Sequence, residues 1–164
     1  AGSVPMDVLK QHTNRGVFYP LQTFSKNRAV DFKSIPICIE ANNKDFEKEI
    51  IKLAQNISEN VVKMDSKQRK QLHIAAVFSC NFTNQMFAIS DDILEKSNID
   101  LKLLLPLIKQ TVNKLKTKKA IEVQTGPAKR KDLEIIKQHL NLISNKKNKE
   151  IYKLISESII KTHE

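Results

Sequence analysis

The sequence predicts a mainly helical chain, its helices preceded by a short strand–strand–helix–strand segment that looks like the last strands of a larger sheet. Three observations lead there. From Asp65 onward the apolar residues recur at helical spacing, and the runs open on Asp65, Asp100, Asp132 and Asn145, residue types that cap helices. Before Asp65 only three short runs read as strands, too few to close an α/β sheet. Glycine is scarce, with three in 164 residues. At that size a chain buries a sizeable core, and hydrophobic residues at 40% point to a folded rather than a disordered chain.

In chain order, Ser3, Pro5 and Asp7 resemble a helix start: a cap, a fixed φ and an acid in the first turn. Gly16-Val17-Phe18-Tyr19 reads as a strand ended by Pro20, and residues 35–40 read as a second. Asn42 or Asn43 caps a helix with Phe46, Ile50, Leu53, Ala54 and Ile57 on one face. Asn60 to Met64 is a third short strand. Asp65 with Gln68 forms a capping box, and the helix it opens extends to about Ser97, about 48 Å long. Between Leu72 and Ile89 that helix is apolar on nearly every face. It is therefore expected to be the most buried element, with Phe82 in the core. Asp100 caps a helix of about 101–118, in which Pro106 either bends the axis or marks the first turns. Asp132 opens a helix of about 133–143, and Asn145 precedes one of about 148–162. The domain boundary is placed between residues 64 and 65, where strands give way to a helical bundle.

Charge is uneven. Residues 1–101 hold 13 Lys/Arg against 12 Asp/Glu, a net +1, and residues 102–164 hold 15 against 6, a net +9. A basic half raises nucleic acid as a partner. Lysine outnumbers arginine 24 to 4, however, and the basic half has one aromatic residue, Tyr152. Bidentate readout and base stacking are both poorly served, so nucleic acid is not expected. The three glycines cannot be written as G-x-G-x-x-G or as a P-loop, so no complete dinucleotide or phosphate-loop site is encoded. No apolar run is long enough for a membrane span. Cys38 and Cys80 sit in apolar company and read as two buried free thiols of a reduced, cytoplasmic compartment, with a disulfide as the alternative. The four histidines lack metal-ligand spacing, so no metal is expected.

Three stretches hold residues suited to chemistry. On the central helix, His73, Val77, Cys80 and Asn84 share a stripe on a 100° wheel, and Asn81 lies on its flank. Either these polar groups tie the helix to its neighbours, or the stripe lines a cleft. In a cleft His73 exchanges a proton, and the amide of Asn81 or Asn84 orients a substrate oxygen. Residues 124–130 (QTGPAKR) combine a hydroxyl, a permissive glycine, a rigid proline and two cations. They read as an anion-receiving loop or as an ordinary helix–helix turn. Residues 19–24 (YPLQTF) follow a strand at its carboxyl end, where open α/β sheets place ligands, and bring in Gln22 and Thr23.

Together, residues 16–24 (GVFYPLQTF), 72–81 (LHIAAVFSCN) and 124–132 (QTGPAKRKD) resemble the Rossmann-like proteins whose C-terminal half is a domain of unknown function, number 2520. That family is similar to pyrroline-5-carboxylate reductase and to the 6-phosphogluconate dehydrogenase superfamily. The resemblance implies a helical 6-phosphogluconate-dehydrogenase-C-terminal-like domain over 65–164, used for substrate and dimerisation. Residues 1–64 would be the C-terminal remnant of a Rossmann-like α/β domain. The βαβ cofactor half would lie outside these residues, so NAD or NADP is implied for a longer parent and none for this chain alone. His73 and Asn81 fall at the polar positions of the helix facing the nicotinamide in related reductases, and Thr125, Gly126 and Arg130 fall in the loop beside it. Tyr19-Pro20 stands where relatives often have His-Pro.

The resulting expectation is the C-terminal portion of an NAD(P)-dependent oxidoreductase. His73 and Asn81 would be catalytic; Gln22, Thr23, Asn84, Thr125, Gly126 and Arg130 would contact a small-molecule substrate. The alternative is a non-catalytic binding module holding an anionic partner, nucleic acid or protein, on its basic half. The apolar surface left by so few strands and helices predicts a two-fold homodimer through residues 66–163, burying upwards of ~2,000 Å².

Overall fold

The computed structural model describes residues 2–27 and 29–164. It is mainly helical with one three-stranded sheet among the described residues, as the sequence predicts. The chain divides into two compact units, Ala1–Thr83 and Asn84–Glu164. The division falls later than the change in sequence character at Asp65, so the first part of the long helix belongs with the strands.

In the first unit the strands are β1 (Gly16–Pro20), β2 (Ile37–Ala41) and β3 (Val61–Lys63), in the order β1-β2-β3. β2 is central: it pairs antiparallel with β1, Phe18 opposite Ile39 and Tyr19 opposite Cys38, and parallel with β3, Ile37 opposite Val61. A parallel pair needs a crossover, and α1 (Lys44–Gln55) supplies it. Asn43 caps α1 by accepting from the Phe46 N–H. Ile37 and Ile39 of β2 meet Ile50 and Ala54 of α1 in the core, with Phe18, Phe46 and Val61 packed around them. Gly16 is required by close approach: a Cβ there would lie 2.6 Å from the Glu40 carbonyl oxygen and 2.6 Å from Ile50 Cδ1. Leu53 and Ile57, assigned by periodicity to the inner face, are exposed. The Ser3–Asp7 start is a short 3₁₀ turn, Met6–Leu9.

The helix α2 (Ser66–Ala76) opens on the expected capping box: the Asp65 carboxylate accepts from the Gln68 N–H, and the Gln68 side chain accepts from the Asp65 N–H. Its next six residues, Val77–Phe82, form a π-helix, after which α3 (Thr83–Glu95) resumes normal winding. One side chain of α2 is buried, and it is charged. Arg69 is 1% exposed, donates from Nη1 to the Glu40 carboxylate and from Nη2 to the Val4 carbonyl at 2.6 Å. Glu40 also accepts from the Ser66 N–H at 3.0 Å. The N-terminal segment and β2 are thereby tied to the start of α2.

The second unit holds α4 (Leu105–Lys114), α5 (Leu133–Leu142) and α6 (Lys146–Thr162) beside most of α3. Asp100 caps a 3₁₀ turn, Leu101–Leu104, that leads into α4, and Pro106 lies in the first turn of α4, where its missing N–H costs nothing. The α-helix ends at Lys114, short of residue 118. Asp132 and Asn145 cap α5 and α6 as predicted.

Two further expectations fail. The 72–89 stretch is not the most buried element: Ile74, Phe78 and Phe82 are exposed, Phe78 by 64%, and α3 has no buried residue. Apolar faces all round require neighbours all round, and one chain does not supply them. The two thiols also differ: both are free, but Cys38 is buried on β2 whereas Cys80 lies exposed on the π-helix.

Candidate functional site

A cavity of about 550 Å³ opens in the first unit, between the carboxyl end of β1 and the α2–π segment. Leu21, Leu72 and Val77 are among its apolar walls. Tyr19, Gln22, Thr23, His73, Ser79 and Asn81 supply its polar groups. A large apolar pocket with a few convergent polar groups is the ordinary form of a small-molecule site.

The sequence places the residues there for local reasons. Pro20 ends β1, so the chain turns away and carries Gln22 and Thr23 to the rim; the Gln22 side chain accepts from the Thr23 N–H at 2.8 Å. His73 lies one turn after the buried Arg69, whose contacts to Glu40 and Val4 hold that turn in place. The π-helix then alters the winding. Closing i→i+5 rings, it turns less per residue than an α-helix, and such segments recur at functional sites. Hence His73, Val77, Cys80 and Asn81 line one cavity, although a uniform wheel sets Asn81 to the side. Asn84 is exposed and is the first residue of the second unit.

Two groups near the cavity are electrostatically distinctive. Burial raises the Tyr19 phenol above its ordinary value of 10.0, the neighbouring Cys38 adds to the rise and Arg69 opposes it. Burial likewise raises the Cys38 thiol above 9.0, opposed by Arg69. Both groups keep their protons near neutral pH. Gly2 is buried against this cluster. A Cβ on Gly2 would lie 2.8 Å from His73 Nδ1 and 3.0 Å from the Tyr19 hydroxyl.

In the second unit Thr125 and Gly126 line a separate, mostly apolar cavity of about 320 Å³, with Ile93, Ile151, Tyr152 and Ile155. Gly126 has φ +102°, which explains a glycine in this turn. Lys129 Nζ lies 2.7 Å from His163 Nδ1, whereas Arg130 is exposed. Of the sequence-predicted residues, therefore, His73, Asn81, Gln22 and Thr23 meet in the first unit's cavity, and Thr125 and Gly126 share the second unit's. Tyr19 and Gly2 were within reach of sequence reasoning: Tyr19 belongs to the 16–24 stretch, and Gly2 is one of three glycines. Arg69 carried a weaker signal, as one arginine among many lysines.

A dinucleotide's diphosphate needs backbone N–H groups at a glycine-rich strand-to-helix turn. None of the three glycines makes one: Gly2 packs on His73, Gly16 sits within β1, and Gly126 lies in a helix–helix loop. Among the described residues no group of His, Cys, Asp or Glu is placed to hold a metal ion, and no helix is long and apolar enough to cross a membrane.

A cavity at a strand end in a mainly helical chain defines the class, and comparison with known proteins gives its family. The profile described as Domain of unknown function (DUF2520) matches residues 35–159. The chain belongs to that family. Among solved structures it is similar to the putative NADP oxidoreductase BF3122 from Bacteroides fragilis, with 44% identity and a TM-score of 0.92, over 98% of this chain and 63% of that one. It shares its fold with protein TM1727 from Thermotoga maritima, at 21% identity and a TM-score of 0.79, over 99% of this chain and 66% of that one. The chain thus spans less than two thirds of the length of either. No curated protein matches it.

Proposed function

We infer that this chain is the C-terminal part of an NADP-dependent oxidoreductase acting on a small hydroxy, carbonyl or imine compound. The observation that carries the reading is the first unit's cavity, which gathers His73, Asn81, Gln22 and Thr23 in a chain 44% identical to a putative NADP oxidoreductase. The chain supplies the substrate side. His73 exchanges a proton with the substrate, the Asn81 amide holds a substrate oxygen, and Gln22 and Thr23 contact the substrate at the rim. The diphosphate of the cofactor is held by residues of the parent outside these 164.

The second unit serves assembly. Leu103, Leu107, Leu133, Leu142 and Leu154 are each at least 64% exposed, a load of apolar surface that marks a partner surface rather than a free face. A two-fold homodimer through the helices covers it.

Calorimetry tests the cofactor reading. The full-length protein is expected to bind NADPH in the micromolar range or tighter and residues 1–164 not to bind it detectably. Tight binding by residues 1–164, or none by the full-length protein, would overturn it.

A further inference from the structure

The second unit's cavity, of about 320 Å³, combines apolar walls with one buried hydroxyl that no protein group answers. Met86 and Ile89 of α3 and Ile151, Ile155 and Ile159 of α6 are among its walls. Ala128 and Ser156, 6% and 7% exposed, are the most buried residues of the lining. A buried serine in a helix ordinarily finds a partner, most simply the carbonyl one turn back. Ser90 on α3 does this, its hydroxyl donating to the Met86 carbonyl at 2.8 Å. The Tyr152 hydroxyl is also taken, 2.8 Å from His139 Nδ1. Among the described residues the Ser156 hydroxyl makes no hydrogen bond, yet its oxygen is not sealed off: the side-chain atoms both occluded and unpartnered belong to Arg15 and Arg69. It is therefore open to whatever fills the cavity. No lining residue carries a charge, an imidazole or a thiol. The cations of the neighbouring loop are not part of the lining: Lys129 Nζ lies against His163 Nδ1, and Arg130 is exposed.

We propose that this cavity is a binding site for a small uncharged aliphatic molecule with one hydrogen-bonding oxygen, a medium-chain alcohol in type, whose oxygen pairs with Ser156. Size, charge and polarity each narrow the occupant. At the roughly 30 Å³ that a water takes in the liquid, the space holds about ten heavy atoms. An ionised head would enter with no opposite charge to meet it, a cost that exceeds what the chain gains. A pure hydrocarbon would leave the serine unanswered. A helix of a second copy, about 10 Å across, is too bulky for the space. The exposed leucines assigned above to the dimer, Leu103, Leu107, Leu133, Leu142 and Leu154, are not part of the lining. With no acid, base or thiol there, the site binds its ligand and does not transform it. The proposal is independent of the oxidoreductase reading and of the first unit's cavity.

The test uses the full-length protein, labelled with ¹³C in its isoleucine δ1 methyl groups and titrated with n-octanol at about pH 8. Saturable shifts are expected at Ile89, Ile151, Ile155 and Ile159, with none at Ile37 and Ile39 in the other unit's core. Octanoate, ionised at that pH, should bind at least about tenfold more weakly. Ser156→Ala should weaken octanol binding by about three- to tenfold, the loss of one hydrogen bond. Ile159→Phe, which fills part of the space, should abolish the octanol shifts at Ile151 and Ile155. No saturable shift at these methyls in the unaltered protein would overturn the proposal. So would octanoate binding as tightly as octanol, or unchanged octanol affinity in a folded Ser156→Ala protein. Sedimentation of the same samples guards against the remaining occupant. Octanol that moves the methyls only while dissociating an oligomer would give the cavity to a second copy and overturn the proposal as well.

Discussion

The two units of this chain solve the problem of burial differently. In residues 1–83 a three-stranded sheet closes on one helix, and Ile37, Cys38, Ile39 and Ala54 are at most 1% exposed. A charged side chain, Arg69, is buried just as completely because Glu40, Ser66 and Val4 answer it. In residues 84–164 helices make up the regular structure, and α5 and α6 are capped as well, yet Ala128, Ile136 and Ser156 are the residues that are buried. Well-formed secondary structure is therefore not evidence of a closed core. The helical unit has made its helices locally and leaves apolar side chains exposed, the surface that the proposed second copy would cover.

The sharpest way to break this contrast is to remove the charge at the centre of the first unit. Arg69→Ala leaves the Glu40 carboxylate largely buried without its partner and should cost about 3–5 kcal/mol in chemical denaturation. A loss below about 1 kcal/mol would show that the network is incidental. Paired truncations sharpen the comparison further. Ile39→Ala should cost about 2–5 kcal/mol. Leu142, 81% exposed, should change the stability of its own fold by less than about 0.5 kcal/mol when replaced by Ala. Leu142→Glu should instead weaken self-association in sedimentation; an unchanged oligomer would remove this face from the interface. Phe82 lies between the extremes. It is 49% exposed but meets Phe78 edge-on, with ring centroids 5.0 Å apart, so Phe82→Ala should cost about 1 kcal/mol.

The smallest effect is one of pH. The Cys38 thiol and Tyr19 phenol are both raised in the folded chain by burial. Raised acids favour the folded state's protonated form. Their contribution is complete below the ordinary values, 9.0 and 10.0, and is lost as pH rises through the higher folded ones. The melting temperature should thus fall above about pH 9, and fall less steeply in Cys38→Ala. An equal slope in the variant would remove Cys38 from the account.

What could be read beforehand follows from how local each cause is. The caps at Asn43, Asp65, Asp100, Asp132 and Asn145 are contacts between residues three or fewer apart, and the sequence displays them. His73 and Asn81 were legible as polar residues on an apolar helix, and Gln22 and Thr23 as residues after a strand. The π-helix was not, because uniform winding is assumed by any wheel, and it is what turns Asn81 into the cavity. The exposure of Phe78 and Phe82 was not legible either: periodicity tells how much apolar surface a helix carries, not whether the same chain covers it. The burial of Arg69 depends on Glu40 and Val4, 29 and 65 residues away in sequence, and no local pattern announces it.

The central claim is that the His73 cavity serves a nicotinamide-dependent reaction. The most direct measurement is an amide and histidine NMR titration of the full-length protein with NADP⁺. Saturable shifts are expected at Tyr19, His73 and Asn81, with none at the core residues Ile39 and Ile50. Saturable binding that moves signals elsewhere while those three stay still would contradict the claim.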